Sequence, residues 1–195
     1  MIEYPKLDLP GAGLPWLESL FLRYVYYPSR LHKISWQQNL ERLRTETQKI
    51  TKICDSIDEQ QFQTRILIPR LRGMEDSSRF WSVGLTIQHL LITISGMTHI
   101  AEELAQSHAI SIEVDIAKVK PKQEDVTNKS DMVKKLQLAT ETTVQKLLPY
   151  HEAPSRNHKQ YHPWFGRITA EGWVWVLGQH QSLHRKQIQM IVRQL

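Results

Sequence analysis

Cysteine is nearly absent from this sequence, and so are long runs of apolar residues. The single cysteine among 195 residues, Cys54, cannot form a disulfide within the chain, which agrees with a reducing compartment. No apolar run approaches the roughly 18 residues of a membrane span, and the first residues lack the basic start and apolar centre of a signal peptide. We therefore expect a cytoplasmic protein with no membrane partner.

The composition is that of an ordinary globular protein. Hydrophobic residues make up 41% and charged residues 23% of the chain, which argues against disorder. A chain of 195 residues suits one domain with a core of its own. We expect residues 1–195 to fold as a single domain.

Positive charge exceeds negative charge, with a formal net charge of +5 and a pI near 9.3. This positive charge would suit a nucleic-acid partner. However, the sequence contains no known nucleic-acid-recognition motif, so we expect no nucleic-acid partner. One connecting stretch contains four arginines with two acids among them. The arginines could line the mouth of a pocket for a carboxylate or phosphate, or these charges could form a solvated surface. These residues are Arg65, Arg70, Arg72, Glu75, Asp76 and Arg79.

Apolar residues recur at alternating spacings of three and four in four long segments, which predicts four helices. A capping box of Ser35 and Gln38 marks the start of the first helix. The second is apolar over so much of its surface that we expect it to be buried, together with His89. The four predicted helices run from about Ser35 to Ile57, from Ser82 to about Gln106, from Ser130 as a cap to Pro149, and from Thr169 as a cap nearly to Leu195.

Three further segments precede or connect these helices. Residues 14–27 are rich in large side chains and predict a short extra helix that packs across the bundle and is closed by Pro28. Residues 56–79 lack helical periodicity and contain a proline and a glycine, which predicts an irregular crossover. Residues 109–128 are polar and charged, and are long enough to cross one end of a bundle.

Two pairs of histidines stand out among the nine in the chain. His180 and His184 lie four residues apart on the apolar side of the last predicted helix, so both rings can grip one divalent metal ion. His158 and His162 have the same spacing, but prolines and a glycine surround them, so they need not share a helical face. We favour the later pair as ligands. The alternative, that these two are core histidines satisfied by hydrogen bonds, stays open on periodicity alone.

Two stretches of the sequence resemble a known family. Segment 72–90 carries a Trp-Ser pair and a histidine eight residues after the tryptophan, and segment 162–184 begins His-Pro-Trp-Phe-Gly and ends with the late histidine pair. In this order and placement they are similar to the DinB/YfiT-like superfamily. The resemblance covers roughly residues 35–195 and implies an all-α four-helix bundle with long crossover connections. It leaves residues 1–34, with the short aromatic helix, as an N-terminal extension.

The resemblance also implies a metal that is held by one histidine of the second bundle helix and two of the fourth. Carried over by position, the ligands are His89, His180 and His184. Three neutral imidazoles suit zinc, nickel or iron(II) and leave coordination positions for water or substrate. The ligand types do not select one metal among these.

A metal-dependent enzyme with a small-molecule substrate is the function that the resemblance implies. Members of the superfamily include enzymes that join low-molecular-weight thiols such as bacillithiol or mycothiol to electrophiles, and a thiol-dependent isomerase. No Asp or Glu falls within a helical turn of the three histidines on the same face, so no general base for hydrolysis is evident. We therefore expect a thiol S-transferase with a low-molecular-weight thiol as cosubstrate. A metal-dependent hydrolase is the alternative.

Several side chains near the predicted ligands are candidates for the lining of a pocket. The polar ones could orient a substrate or a water molecule, whereas the tryptophan among them fits a role in the core at least as well. The candidates are Thr47, Thr86, Thr93, Trp173 and Gln187.

A non-catalytic interaction module is the competing class of function. In that case the metal would be structural or absent. A fourth protein ligand such as His99 or His162 would favour this interpretation, because structural metal sites have all coordination positions filled by protein ligands. The aromatic N-terminal helix supports an interaction surface, since tyrosine and tryptophan are enriched where proteins meet. We expect this segment to form the contact of a homodimer.

Overall fold

The described part of the chain forms seven α-helices and two small hairpins. The computed structural model describes residues 5–31 and 33–195. A π-helical turn at Leu22–Tyr26 joins the first two helices, and 3-10 turns lie at Asp76–Ser78, Gln123–Asp125 and Leu148–Tyr150. In chain order the elements are α1 (Trp16–Phe21), α2 (Tyr27–Leu31), α3 (Trp36–Asp55), α4 (Glu59–Gln63), β1 (Ile66–Leu67), β2 (Phe80–Trp81), α5 (Val83–Ala105), α6 (Lys129–Leu147), β3 (Gln160–His162), β4 (Gly166–Ile168) and α7 (Ala170–Val192).

The four long helices form a bundle. Around the bundle the order is α3, α7, α5 and α6, so each helix packs against two neighbours. Helix α7 lies close to α3 at Gly178, where an added Cβ would stand 3.2 Å from the carbonyl oxygen of Asn39. The apolar faces of all four helices meet in the core, which confirms the predicted all-α four-helix bundle with long connections.

Capping fixes where the bundle helices begin. The predicted capping box is present in α3, with Ser35 Oγ accepting from the backbone N–H of Gln38 and the Gln38 side chain accepting from the N–H of Ser35. The prediction that Ser130 caps α6 was wrong. Asn128 caps this helix by accepting from the N–H of Asp131 at 3.0 Å, and Ser130 already lies in the first turn. Thr169 is the first flanking residue of α7, but its side chain makes no capping hydrogen bond.

The helical part of the aromatic segment before the bundle extends beyond Pro28. Pro28 was expected to close the helix, but α2 continues to Leu31. The reason is the π-helical turn that precedes α2. This wider turn changes the hydrogen-bond register, so the helix can continue through Pro28, which has no N–H to donate. Helix α2 contacts α7, and Arg23 in the π-helical turn donates to the backbone oxygen of Pro163 in the second hairpin. Helix α1 contacts the connection between β1 and β2, where Glu18 accepts from Arg70.

Both hairpins lie in connections that periodicity left irregular. Strands β1 and β2 pair antiparallel, with Ile66 opposite Trp81, and strands β3 and β4 pair antiparallel with Tyr161 opposite Arg167. Each strand has only two or three residues, which is too short for an alternating pattern to stand out. The first hairpin brings Trp81 to the start of α5, where Ser82 caps the helix by accepting from the N–H of Leu85.

Helix α5 is the most apolar of the described helices. By length and composition alone it could cross a membrane, which corrects the expectation that no segment comes near this limit. However, 61% of its apolar window is buried inside the bundle. His89 is among these buried residues, as predicted, with 7% of its surface exposed. The helix therefore forms one wall of the core, and its one buried imidazole faces the neighbouring helix α7.

Candidate metal centre

Three histidines from two neighbouring helices meet inside the bundle. Helix α5 supplies His89, and α7 supplies His180 and His184. The Nε2 atom of His180 lies 3.2 Å from the Nε2 atoms of both His89 and His184. Among residues 5–31 and 33–195, these side chains form the one group of three or more histidine, cysteine or acidic residues with ligand atoms close enough for a shared metal ion.

Hydrogen bonds on the far side of two rings fix their orientation. His89 Nδ1 lies 2.8 Å from the backbone oxygen of Val119, and His184 Nδ1 lies 2.7 Å from Gln187 Oε1. Both partners are oxygens that can only accept, because Gln187 uses its amide nitrogen to donate to Ser78 O at 2.7 Å. Each Nδ1 therefore carries the proton, and each Nε2 presents its lone pair to the centre.

The three rings are neutral in the folded protein. Burial lowers the pKa of His89 to about 4, and burial together with the neighbouring histidines lowers the pKa values of His180 and His184 well below their usual range. A proton on His180 Nε2 can serve only one of its two neighbours, so the other pair of nitrogens would face each other without a proton. A cation at their centre removes this repulsion.

The spacing of the nitrogens fits a divalent metal ion. Two imidazole nitrogens that bind zinc at about 2.0–2.1 Å in tetrahedral geometry stand about 3.3 Å apart, and the observed separations are 3.2 Å. Donor type, protonation and spacing thus all suit zinc, nickel or iron(II). With three protein ligands, such a centre keeps a position for an exogenous ligand.

Trp81 and Lys120 form one wall beside the three rings. The Trp81 ring lies 5.2 Å from the ring of His89 and stacks on that of His184, with centroids 6.2 Å apart and an interplanar angle of 14°. The Nζ atom of Lys120 lies 5.5 Å from the Trp81 centroid and 2.7 Å from Glu75 Oε2. The wall is therefore an indole with a paired charge behind it.

A fourth histidine, partly buried, lies near the centre without joining it. The Nδ1 atom of His162 accepts from the N–H of Trp164 at 3.1 Å, and its ring lies 5.1 Å from that of Trp173. Burial lowers the pKa of His162 to about 3, so this imidazole is neutral and a weak base at pH 7. The ring of Phe165 stacks on its other side at 4.9 Å.

Comparison with known protein families identifies the family of this chain. The family model of the DinB family matches residues 31–195. This chain belongs to the DinB family. No match was found among curated proteins. The assignment confirms the resemblance that segments 72–90 and 162–184 indicated.

Solved structures of DinB-like proteins share the fold at low sequence identity. YfiT from Bacillus subtilis, described as a probable metal-dependent hydrolase with an unusual four-helix bundle topology, is 19% identical with a TM-score of 0.58, covering 84% of this chain and 90% of YfiT. The mycothiol-dependent maleylpyruvate isomerase is 13% identical with a TM-score of 0.51, covering 81% of this chain and 62% of the isomerase. At these identities the likeness establishes the fold and not the reaction.

A third structure corrects one expectation. The colibactin self-resistance protein ClbS, solved in complex with double-stranded DNA, is 15% identical with a TM-score of 0.56 and covers 83% of this chain and 96% of ClbS. The expectation that nucleic acid is excluded as a partner was therefore wrong. It rested on the absence of a known reading motif, and ClbS shows that a protein of this fold can be bound to DNA in a crystal without belonging to the common DNA-binding folds.

The structure brings some of the predicted pocket residues to the centre of this DinB-family chain and gives others different partners. Gln187 contacts His184 directly. Thr47 is bonded to Thr140 and Gln181, in the interface between helices. The hydroxyls of Thr86 and Thr93 donate to carbonyls of their own helix or its cap, and Trp173 packs on His162. The role of all five residues in lining a pocket stays a prediction.

Neither of the two histidines considered as a fourth ligand belongs to the three-histidine group. The His99 side chain is 58% exposed and lies beside Glu103, and His162 is not part of the three-histidine group. The residues that periodicity missed are Val119, Lys120 and Glu75, which lie in irregular connections. One signal was available for Trp81, which belongs to the Trp-Ser pair on which the family resemblance rested.

Proposed function

We propose that this DinB-family protein is a metal-dependent enzyme whose ligands are His89, His180 and His184. The observation that carries the proposal is the meeting of three neutral imidazoles inside the bundle, with the Nε2 atom of His180 3.2 Å from the Nε2 atoms of His89 and His184. Two of the rings are held from behind by hydrogen bonds, as ligating histidines usually are. The substrate is a small molecule that reaches the open coordination position.

Thiol transfer is the chemistry that we favour at this centre. A bound divalent metal would supply a Lewis acid that keeps a thiol sulfur as the thiolate, which is the nucleophilic form. The chain itself holds the three imidazoles neutral and turned inward. The Trp81 ring, 5.2 Å from the ring of His89, excludes water from one side of the centre. The cosubstrate is a low-molecular-weight thiol, and the second substrate is an electrophile.

The surroundings of the centre support transfer over hydrolysis. A hydrolase needs a general base within reach of the attacking water. No carboxylate belongs to the ligand group in the described part of the chain. The nearby Glu75 already accepts from Lys120 and two backbone N–H groups, and these contacts hold its pKa below the usual range against the effect of burial. His162 is too weak a base at pH 7. The description of YfiT keeps metal-dependent hydrolysis as the second candidate.

Metal content is the first test. Protein produced without a histidine tag, chelated mildly and then offered zinc, nickel or iron(II), should bind about one equivalent by elemental analysis. His180→Ala/His184→Ala should bind little. The matched control is His99→Ala/His108→Ala, which removes two exposed histidines from the same chain. Equal metal content in the two double variants would place the metal elsewhere. No metal in the parent would make the interaction module the leading function.

The reaction is tested on the loaded protein. We expect bacillithiol or mycothiol to form a thioether with 1-chloro-2,4-dinitrobenzene faster in the presence of the parent than of His180→Ala/His184→Ala. Metal binding without this transfer, but with cleavage of an ester or amide that the double variant lacks, would establish the hydrolase alternative.

A further inference from the structure

A buried ion pair lies behind the three-histidine centre. Glu75 comes from the connection between β1 and β2, and Lys120 from the connection between α5 and α6. Their side chains are 3% and 16% exposed, and Glu75 Oε2 lies 2.7 Å from Lys120 Nζ. A pair this deeply buried contributes little to stability by itself, because both charges lose their water. Its position therefore matters more than its bare Coulomb energy.

The pair joins the supports of two predicted ligands. Val119, whose backbone oxygen accepts from His89, is the residue directly before Lys120. On the other side, Lys120 Nζ donates to Ser78 Oγ at 2.8 Å. The backbone oxygen of the same serine accepts from Gln187, at 2.7 Å, and so holds the amide that accepts from His184. One lysine thus ties together the outer hydrogen bonds of a ligand on α5 and a ligand on α7.

The N-terminal extension completes this arrangement. The backbone N–H groups of Gly13 and Gly11 donate to the two oxygens of Glu75 at 2.9 and 3.4 Å. Both glycines adopt a left-handed backbone, with φ of 83° and 87°, which other residues rarely adopt. They precede the region that the DinB family model matches, residues 31–195. Residues outside the matched region therefore take part in the support of the centre.

We propose that Glu75 and Lys120 are positioning residues that hold His89 and His184 in the orientation required for metal binding. The proposal rests on the metal centre proposed above. Without the pair, the connection that carries Val119 is no longer held by the ion pair of Lys120 with Glu75. Ser78 also loses the hydrogen bond that its hydroxyl accepts from Lys120. Both imidazoles then lose the acceptors that keep the proton on Nδ1, and their Nε2 lone pairs no longer converge.

The test uses the full chain and the double variant Glu75→Gln/Lys120→Met. Removing both charges avoids leaving one unpaired in the interior, which is the costly case. Lys118→Met is the matched control, because Lys118 lies in the same connection with a side chain that is 83% exposed. Zinc affinity is measured by competition with a chromophoric chelator. The tautomers of His89 and His184 are read in the metal-free protein from long-range proton–nitrogen NMR correlations of the imidazoles.

We expect the double variant to bind zinc about 10- to 100-fold more weakly than the parent. His89 should change from a pure Nδ1–H tautomer to a mixture, whereas Lys118→Met should match the parent in both readouts. If the double variant changes only the urea midpoint, with zinc affinity and tautomers unaltered, the pair merely stabilises the fold and the proposal is overturned. If the parent binds no zinc, the metal centre fails, and the tautomer comparison alone decides whether the pair positions the imidazoles.

Discussion

The Nε2 atoms of His89 and His180 lie 3.2 Å apart although 91 residues separate them in the sequence. Two features bring them together. Helices α5 and α7 pack side by side along the bundle, and each histidine lies on the face that meets the neighbouring helix. The centre therefore depends on the fit of α7 among its neighbours, which the first two predictions address.

Gly172→Ala should destabilise the protein, although alanine favours a helix more than glycine does. An added Cβ would lie 2.9 Å from the Cβ of Ile168 and would also meet the hydroxyl of Tyr27. Overpacking of this kind costs about 1–3 kcal/mol. The control is Gly96→Ala in α5, where nothing lies within 4 Å of the new methyl, and there we expect a gain of up to about 1 kcal/mol. Urea unfolding measures both, and equal effects would contradict the close approach.

Glu46→Ala should weaken the contact between α3 and α7. The Glu46 carboxylate is buried, with Arg185 Nε and Lys49 Nζ each 2.7 Å from one of its oxygens. Removing it leaves Arg185, whose side chain is 15% exposed, without its partner, at a cost of about 3 kcal/mol. Glu41→Ala, on the same helix with a side chain 65% exposed, should change the free energy of unfolding by less than about 0.5 kcal/mol.

Stability of the metal-free protein should fall on acidification. The unfolded chain protonates its histidines near pH 6.5, whereas His89 and His162 in the folded protein take up a proton only near pH 4 and pH 3. Between pH 6.5 and the folded-state pKa of each histidine, the unfolded state binds more protons than the folded state. The free energy of unfolding therefore decreases as the pH falls, by up to about 1.4 kcal/mol per pH unit for each histidine. The stabilisation is fully present above pH 6.5.

Urea unfolding at pH 7, 6 and 5 measures this dependence in protein freed of metal. His162→Gln should show a shallower decline than the parent, and His99→Gln should follow the parent, because the side chain of His99 is 58% exposed. A parent whose stability is the same at all three pH values would be incompatible with buried neutral imidazoles.

The aromatic N-terminal segment should form a homodimer. Its charged side chains turn inward, with Glu18 paired to Arg70 and Arg23 donating to the backbone oxygen of Pro163. Six large side chains, each about half exposed or more, form an outer face without charge. An aromatic side chain buries about 150–250 Å², so this face offers on the order of 600 Å², near the roughly 800 Å² per partner of a standard interface. The residues are Trp16, Leu17, Leu20, Phe21, Tyr24 and Val25.

Sedimentation velocity over a range of concentrations tests the dimer. Tyr24→Glu should shift the protein to monomer, because the new charge would be buried in the contact. Leu138→Glu places the same charge on α6 at a residue that is 69% exposed, and should leave the dimer intact. A parent that sediments as a monomer at every concentration would argue against this surface as a dimer contact.

The bundle could be predicted from the sequence because its helices repeat one pattern over five or six turns. The apolar face of α3 and the Ser35–Gln38 capping box illustrate this, since both depend on residues three or four apart. The two hairpins could not be predicted, because strands such as Phe80–Trp81 are too short to carry a period. The helix through Pro28 was missed because its π-helical turn leaves no local signal.

The three histidines could be named in advance, but their supports could not. His180 and His184 share a helical face, and the family resemblance added His89. In contrast, the backbone oxygen of Val119 reaches His89 from an irregular connection 30 residues away, and any residue type presents such an oxygen. The pairing of Glu75 with Lys120 likewise depends on how two connections cross, which no periodicity encodes.

The stacking of Trp81 on His184 gives this protein a built-in optical probe. An indole whose ring lies 5.2 Å from one predicted ligand and 6.2 Å from another is close enough for its fluorescence to be quenched by a paramagnetic ion such as nickel at the centre. The other five tryptophans contribute a background emission. The spectrum of the variant Trp81→Phe gives this background, which is subtracted from the emission of the parent. Emission from the native chain would therefore report metal entry at the proposed centre in real time, without a dye and without knowledge of the substrate.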